Sequence, residues 1–368
     1  MEKAPKNGEQ AGPQDATAGL WRLCDAAANR AAEAIRVLED VARFVLDDGH
    51  LTRHAKVLRH DLAVVLAAPA FAPRLALRNA PGDVGASIAA EAALARRDAG
   101  DLVAANAARA AQALRSLQEV AQILAPEAAA LFEQMRYRLY ALERATTTTA
   151  RARDRLRGVA LCVLVDGRGD GAEFARLIEQ LFDAGVRMIQ LRDKRLATPD
   201  LVERARQAVA IARRRAPDEV IVVLNDRADV AAAVGAGGVH VGAEDLPVEM
   251  ARGIVGPRAL VGRTSHALDE ARAAVLAGAV YVGIGPCFPS TTKSFSTFAP
   301  AEFLAGVVRE IALPAFAIGG VTLERLDDLL ELGVRRVAVA SAITEAADPA
   351  AAAAAFNARL ARIPEAPP

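Results

Sequence analysis

The strongest constraint in this 368-residue chain is a rhythm in its C-terminal half. After Leu156, short β-branched runs recur: Ala160–Val165, Arg187–Leu191, Val220–Leu224, Gly238–Val241, Leu260–Arg263, Val280–Ile284, Ala315–Ile318 and Arg336–Ala340. Between them lie stretches with apolar residues at helical spacing, such as Gly171–Ala184, Pro199–Arg215, Ala267–Ala277 and Leu323–Leu332. Continuous apolar runs this short fit strands buried on both faces, as in a parallel sheet covered by helices. Eight strands alternating with about eight helices over roughly 210 residues are what an α/β (β/α)8 TIM barrel requires. In that architecture chemistry sits where each strand ends.

The first part of the chain has a different grammar. From Leu20 to Arg144 it is rich in Ala, Leu, Arg and Glu at helical spacing, with little β-branched alternation, which predicts an all-α domain of roughly four to six helices. Gly and Pro cluster at Asp47–Gly49, Ala68–Pro73 and Pro81–Gly85, the expected joints. The run Arg30–Ala42 recurs as Arg109–Ala121, an internal repeat that predicts two related helices packed about a pseudo-twofold axis. Both copies keep a polar row at every third residue, read either as a solvated, salt-bridged face or as a cleft for an anion lined by Asn29, Arg30, Glu33, Arg36, Asp40 and Arg43. Arg144–Asp154, with its four threonines, is expected to end the helical register. The expected organisation is a disordered tail at 1–18, an all-α domain at 19–147, a linker at 148–156 and the barrel at 157–368.

Composition narrows the function classes. Lys plus Arg equals Asp plus Glu at 45 each, so neither a nucleic-acid footprint nor a polybasic membrane patch is expected. Three scattered cysteines, Cys24, Cys162 and Cys287, suit a reducing cytoplasm rather than a disulfide framework. The polar first residues lack a signal peptide's apolar core, and no apolar run reaches membrane-spanning length.

The strand ends carry a coherent set. Gln190, Arg192 and Lys194 alternate onto one face after the second strand. The third delivers Asn225-Asp226-Arg227, and the fourth ends in a loop with Asp245, a second carboxylate for Asp226. The fifth ends Gly262-Arg-Thr-Ser-His266. The sixth leads into Gly285–Lys293, a proline-stiffened loop bearing Ser290, Thr292 and Lys293. The seventh ends at Gly319-Gly320 and the eighth at Ala340-Ser341, where small residues let backbone N–H groups approach a phosphate. Two carboxylates among cations suit Mg2+ bridging a diphosphate. A separate phosphate cradle implies a second phosphorylated small molecule, and group transfer between the two.

Gln190-Leu-Arg-Asp-Lys194, Asn225-Asp-Arg227, Gly238–Leu246, Gly285–Lys293 and Ala317–Gly320 together resemble the thiamine phosphate synthase family over Leu156 to Ala361. The resemblance implies that hydroxymethylpyrimidine diphosphate joins thiazole phosphate, with diphosphate released. It implies that Gln190 recognises the pyrimidine, that Arg192, Lys194, Asn225 and Lys293 hold the diphosphate, and that Asp226 and Asp245 ligate Mg2+. Ser290, Thr292, Gly320 and Ser341 would hold the thiazole phosphate, with Gly319 and Ala340 also in the substrate-binding set. Thr264 stands where a serine is usual, Leu161–Val165 lacks the tyrosine that often stacks on the pyrimidine, and Ser294–Phe298 lacks the family's basic, glycine-containing continuation. A thiazole tautomerase, with His266 as the acid–base group, is the rival reading of the barrel.

Asp25–Phe44, Lys56–Asp61 and Asp83–Gly85 resemble the helical domain fused in front of some bacterial members and associated with phosphorylating hydroxymethylpyrimidine phosphate. By that match ATP is implied, and the candidates are Asn29, Arg30, Glu33, Arg36, Glu39, Asp40, Arg43, Lys56, Arg59 and Asp83. The chain has no Walker-type glycine loop. The alternative is a non-catalytic module for channelling or homo-oligomerisation.

Overall fold

A computed structural model describes residues 13–78, 96–215, 220–290 and 297–362. The chain divides into two compact units: Met1–Val45 with Leu51–Glu143, and Leu46–His50 with Arg144–Pro368. The first is helical, with α1 (Pro13–Asp40) running into a π-helical turn (Val41–Val45), most of α2 (Gly49–Ala67), α3 (Pro73–Ala76), α4 (Ala99–Leu124) and the part of α5 (Pro126–Arg155) up to Glu143. The expected joints at Asp47–Gly49 and Ala68–Pro73 border these helices, and Pro81–Gly85 lies outside the described residues.

The repeat has a packing consequence: α1 lies against α4, so the two copies face each other. The echo extends further than Ala42 and Ala121, because Leu58-Arg-His-Asp-Leu62 on α2 matches Met135-Arg-Tyr-Arg-Leu139 on α5. Arg59 donates to Glu39 at 2.8 Å, and Arg136 donates to Gln118 at 3.4 Å. One helix-to-helix contact is therefore built twice, as an ion pair and then with a neutral amide. Trp21, Phe71 and Phe132 close the core edge to face, with centroids 6.1 and 5.9 Å apart, a geometry favoured by the ring quadrupoles.

Two local expectations are overturned. Helix α1 starts at Pro13, inside the expected tail, where proline's fixed φ suits a first turn. The threonine run does not end the helical register, since α5 continues to Arg155. Ala145, Thr149, Ala152 and Leu156 are buried at spacings of four, three and four, so the threonine methyl supplies an apolar stripe and burial overrides propensity.

The second unit is a closed barrel of eight parallel strands in chain order: β1 (Leu161–Val165), β2 (Met188–Leu191), β3 (Ile221–Asn225), β4 (Gly238–Val241), β5 (Leu260–Ser265), β6 (Tyr281–Ile284), β7 (Ala315–Ile318) and β8 (Val337–Val339). Around it run α6 (Gly171–Asp183), α7 (Thr198–Arg215), α8 (Ala228–Val234), α9 (Val248–Val255), α10 (Leu268–Ala277), α11 (Ala301–Glu310), α12 (Leu326–Glu331), α13 (Ser341–Thr344) and α14 (Pro349–Leu360). Each strand begins and ends within two residues of its expected run. All four residues of β2, β4 and β6 are buried, which explains why the strands read as unbroken apolar runs. Helix α6 buries Phe174, Leu177, Ile178 and Leu181 as one stripe and is capped by Asp170 accepting from the Glu173 N–H at 2.8 Å.

Residues 46–50 belong to the barrel unit through specific contacts. Asp48 accepts from the Ala312 N–H at 2.9 Å, His50 donates through Nε2 to the Arg272 carbonyl at 3.1 Å, and Arg153 donates to the Leu46 carbonyl at 2.7 Å. No described helix is long and apolar enough to cross a membrane.

Candidate functional site at the barrel mouth

The carboxylates Asp226 and Asp245 meet across the ends of β3 and β4. Asp226 directly follows β3 in the left-handed region, φ 63°, a conformation aspartate tolerates better than most side chains, and its N–H donates to the His240 carbonyl at 2.8 Å. Asp245 does not cap α9, whose N-cap is Pro247. It accepts from the Gly242 N–H at 2.8 Å and so folds its own turn back. Arg263, one strand over, donates to the Ala243 and Leu246 carbonyls at 3.2 and 3.4 Å and pins that turn in place. Burial, then the hydrogen bond and negative charge of Asp245, push the Asp226 carboxyl up to about 6, against the pull of Lys194 and Arg192. Lys194 Nζ stands 3.7 Å from Asp226. A carboxylate that its neighbour's charge holds up in this way marks a site short of positive charge. Among the described residues no group of three or more His, Cys, Asp or Glu side chains could hold a metal ion. A cation here would take two carboxylates and draw its remaining oxygens from water and a ligand, the habit of Mg2+.

Arg192 and Lys194 are set by a residue that spacing alone did not single out. The Asp193 side chain is 3% exposed and accepts from the N–H groups of Gly167, Arg195 and Leu196 at 3.1, 2.7 and 3.2 Å. Burial alone would raise its pKa, but those donors win and hold the carboxyl below its usual range. With the Arg192 N–H donating to the Val165 carbonyl at 2.8 Å, the loops after β1 and β2 are tied together. Arg227 turns away from the carboxylate pair, pairing with Asp229 at 2.6 Å and donating to Thr198 at 3.1 Å.

Beneath the mouth the strand register aligns Asn225, His240, Gly262 and Tyr281 in one row. A Cβ on Gly262 would lie 2.1 Å from the Tyr281 ring, so the missing side chain is the slot the tyrosine fills. Tyr281 stacks on His240 at 5.4 Å and meets Phe316 edge-on at 5.6 Å. A polar chain threads these rings: Gln190 hydrogen-bonds the Tyr281 hydroxyl, which lies 3.2 Å from His240 Nδ1, and His240 Nε2 lies 2.8 Å from Thr264 Oγ1. Gln190, His240 and Tyr281 are all buried, and burial drives the His240 pKa down to about 4, leaving the imidazole neutral. The sequence alone does not mark His240 as a link, because hydrogen-bond partners are invisible in a single run.

The loop after β6 is welded to β7. The N–H groups of Cys287 and Phe288 donate to the Ile318 and Gly319 carbonyls, each at 2.9 Å, and Arg325 donates to the Pro289 and Gly320 carbonyls at 3.1 and 3.0 Å. Gly320 has φ 63°, and a Cβ there would lie 2.3 Å from the Pro289 carbonyl, so both conformation and space require glycine. Ser290 lies at the described end of this loop, whereas Thr292 and Lys293 lie outside the described residues. Ala340 and Ser341 follow β8, with Ser341 opening α13. His266 donates through Nδ1 to the Gly285 carbonyl at 2.6 Å.

In the helical unit the candidates separate into groups. Arg30, Glu33, Arg43 and Lys56 are exposed, with Arg43 over the Phe44 ring at 4.7 Å. Arg36 pairs loosely with Asp40 at 3.8 Å, Glu39 is buried against Arg59, and Asn29 reaches Asp25 at 3.5 Å. Asp83 lies outside the described residues. Asp25 is the residue that spacing missed: it is buried, with Arg74 at 2.9 Å and Arg78 at 2.6 Å. The Arg78 hydrogen bond outweighs burial and holds its carboxyl below the usual range.

The closed barrel defines the second unit as a TIM barrel, with polar residues gathered at the strand ends. Known proteins refine that class. Residues 161–343 match the family model described as thiamine monophosphate synthase, and residues 22–145 match that of the ThiD2 family. A thiamine-phosphate synthase from Rhodopirellula baltica is 39% identical over 334 residues, covering 88% of each chain, and one from Gloeobacter violaceus is 35% identical over 344, covering 93% of this chain and 97% of that one. The solved thiamine phosphate pyrophosphorylase from Pyrococcus furiosus is 28% identical, with a TM-score of 0.49 over 56% of this chain and 96% of that one. The chain belongs to the thiamine-phosphate synthase family and is a transferase.

Proposed function

We propose that the barrel condenses 4-amino-2-methyl-5-hydroxymethylpyrimidine diphosphate with thiazole phosphate, giving thiamine phosphate and diphosphate with Mg2+ bound. The observation that carries this is the Asp226–Asp245 carboxylate pair with Lys194 3.7 Å from Asp226, a donor set that suits a cation arriving with a diphosphate. Asp226 and Asp245 would hold Mg2+, which when bound neutralises charge growing on the leaving diphosphate. Arg192, Lys194, Asn225 and Lys293 grip the diphosphate oxygens, and Gln190 reads the ring edge. Ser290, Thr292, Gly319, Gly320, Ala340 and Ser341 hold the thiazole phosphate, and the Thr264 hydroxyl donates to a substrate phosphate oxygen. The carbon–oxygen bond breaks with its electron pair leaving on the diphosphate, and the pyrimidine ring stabilises the resulting carbocation. The thiazole nitrogen lone pair then forms the new carbon–nitrogen bond, so no general base is needed, and the residues act by positioning and electrostatics. A tautomerase-like barrel working through His266 has no use for Arg192, Lys194, Asp226 and Asp245 together. The test is thiamine phosphate formation by the full chain from the two precursors with Mg2+; absence of product refutes the reading.

We infer a second activity for the helical unit, transfer of phosphate from ATP to hydroxymethylpyrimidine phosphate. The ThiD2 match over 22–145 supports it. ATP consumption that requires the pyrimidine monophosphate is the expected result, and none under those conditions leaves a non-catalytic module.

A further inference from the structure

We propose that the buried chain Thr264–His240–Tyr281–Gln190 is a polarity relay, by which an anion held at Thr264 fixes which end of the Gln190 amide faces the pyrimidine. This rests on the synthase reading above and adds the determinant of ring selectivity.

The argument is one of donor and acceptor counting. A neutral imidazole has one N–H and one lone pair, and His240 is buried with a hydroxyl, not a carboxylate, on each ring nitrogen, a setting that disfavours its charged form. A tyrosine hydroxyl has a single proton to give. With Thr264 Oγ1 2.8 Å from His240 Nε2 and Tyr281 Oη 3.2 Å from Nδ1, and Gln190 on that same hydroxyl, only two concerted arrangements make all three bonds and also give the buried Tyr281 proton one of these acceptors. In one, all protons point toward Thr264. The Gln190 amide N–H donates to Tyr281, Tyr281 donates to Nδ1, and Nε2–H donates to Thr264, whose own proton is free for a ligand. In the other, Thr264 donates to Nε2, Nδ1–H donates to Tyr281, and Tyr281 donates to the Gln190 carbonyl.

A phosphate oxygen can only accept, so an anion at Thr264 takes the hydroxyl proton and selects the first arrangement. The Gln190 amide nitrogen is then committed to Tyr281, and its carbonyl is presented to the ring. That carbonyl accepts from an exocyclic amine and opposes an exocyclic oxygen. Binding an oxo ring well would demand the reversed chain, which turns a Thr264 lone pair toward the phosphate. Breaking either inner link, between Gln190 and Tyr281 or between Tyr281 and His240, strands a buried donor or acceptor without water to replace it. Gly262 and the edge-on Phe316 hold the Tyr281 ring by shape alone, so removing its hydroxyl keeps the packing.

Calorimetric binding of the aminopyrimidine diphosphate and of its oxo analogue, with Mg2+, to the full-length wild type, Tyr281→Phe and Thr264→Val chains tests the relay. The wild type should prefer the amino ring, and Tyr281→Phe should lose about tenfold or more of that preference while melting as a folded protein. Thr264→Val cuts the chain at its solvent end and should shift the ratio the same way, so it carries the test if Tyr281→Phe misfolds. A wild-type ratio in both variants overturns the relay. No binding of either ring to the wild type, or binding without thiamine phosphate synthesis, instead overturns the synthase reading. Nitrogen-15 spectra add a readout independent of affinity: with ligand bound, His240 should carry its proton on Nε2, and an Nδ1–H tautomer contradicts the proposal.

Discussion

As pH falls below 6.5, His240 should withdraw stability from the barrel unit, against the opposite contribution of Asp226, whose raised carboxyl takes up its proton more readily in the fold. The imidazole is 5% exposed and burial lowers its pKa from 6.5 to about 4, so the unfolded chain binds a proton that the folded chain refuses across that window. The sign follows from linkage: a base whose folded pKa is depressed contributes stability fully present above 6.5 and lost as pH falls toward 4. At about 1.4 kcal/mol per pH unit, the loss from this one group approaches 3 kcal/mol, a shift in Tm of several degrees or more for a unit of this size. His240→Gln removes the titrating group while keeping an amide to meet Thr264 or Tyr281. The only tryptophan, Trp21, lies in the helical unit, so its fluorescence follows the wrong half, and calorimetry between pH 7 and 4.5 is the proper assay. The wild-type barrel transition should fall more steeply than that of His240→Gln below pH 6.5. Parallel pH dependences would mean that His240 already takes up its proton while folded, and would refute the neutral imidazole on which the relay depends.

Two substitutions probe other links. Gly262→Ala places a methyl group 2.1 Å from the Tyr281 ring, so the ring must leave its slot; overpacking of this kind costs about 1–3 kcal/mol or more, and a mutant melting like the wild type would contradict the packing described. Asp245→Asn keeps an oxygen for the Gly242 N–H but removes the second carboxylate, so Mg2+ together with the pyrimidine diphosphate should raise the melting temperature of the wild type and not of this variant. Equal stabilisation of both would remove the pair from metal binding.

The barrel was legible because each parallel strand is buried on both faces, which leaves a run such as Met188–Leu191 unbroken by polar alternation apart from Gln190, itself buried. Strand ends are fixed by the same runs, so the address of the mouth residues could be read directly. What could not be read were partners distant in sequence. Asp193 lies within a motif recognised for its neighbours, yet its work is to receive N–H groups from two loops. Arg263 and Arg325 pass as solvated cations until the carbonyls they hold are known. Thr146–Thr149 misled because propensity describes an isolated helix, whereas here Thr146 and Thr149 are buried. Asp25, in an alanine-rich stretch, had no spacing to connect it with Arg74 and Arg78.

The central claim, that the mouth joins a pyrimidine diphosphate to a thiazole phosphate, is tested most directly by incubating the full-length chain with both precursors and Mg2+ and measuring thiamine phosphate and diphosphate together. The account predicts that the two products accumulate one for one, and that Asp226→Asn forms neither at a comparable rate. Thiamine phosphate absent from the wild-type reaction, or formed equally fast by Asp226→Asn, would contradict it.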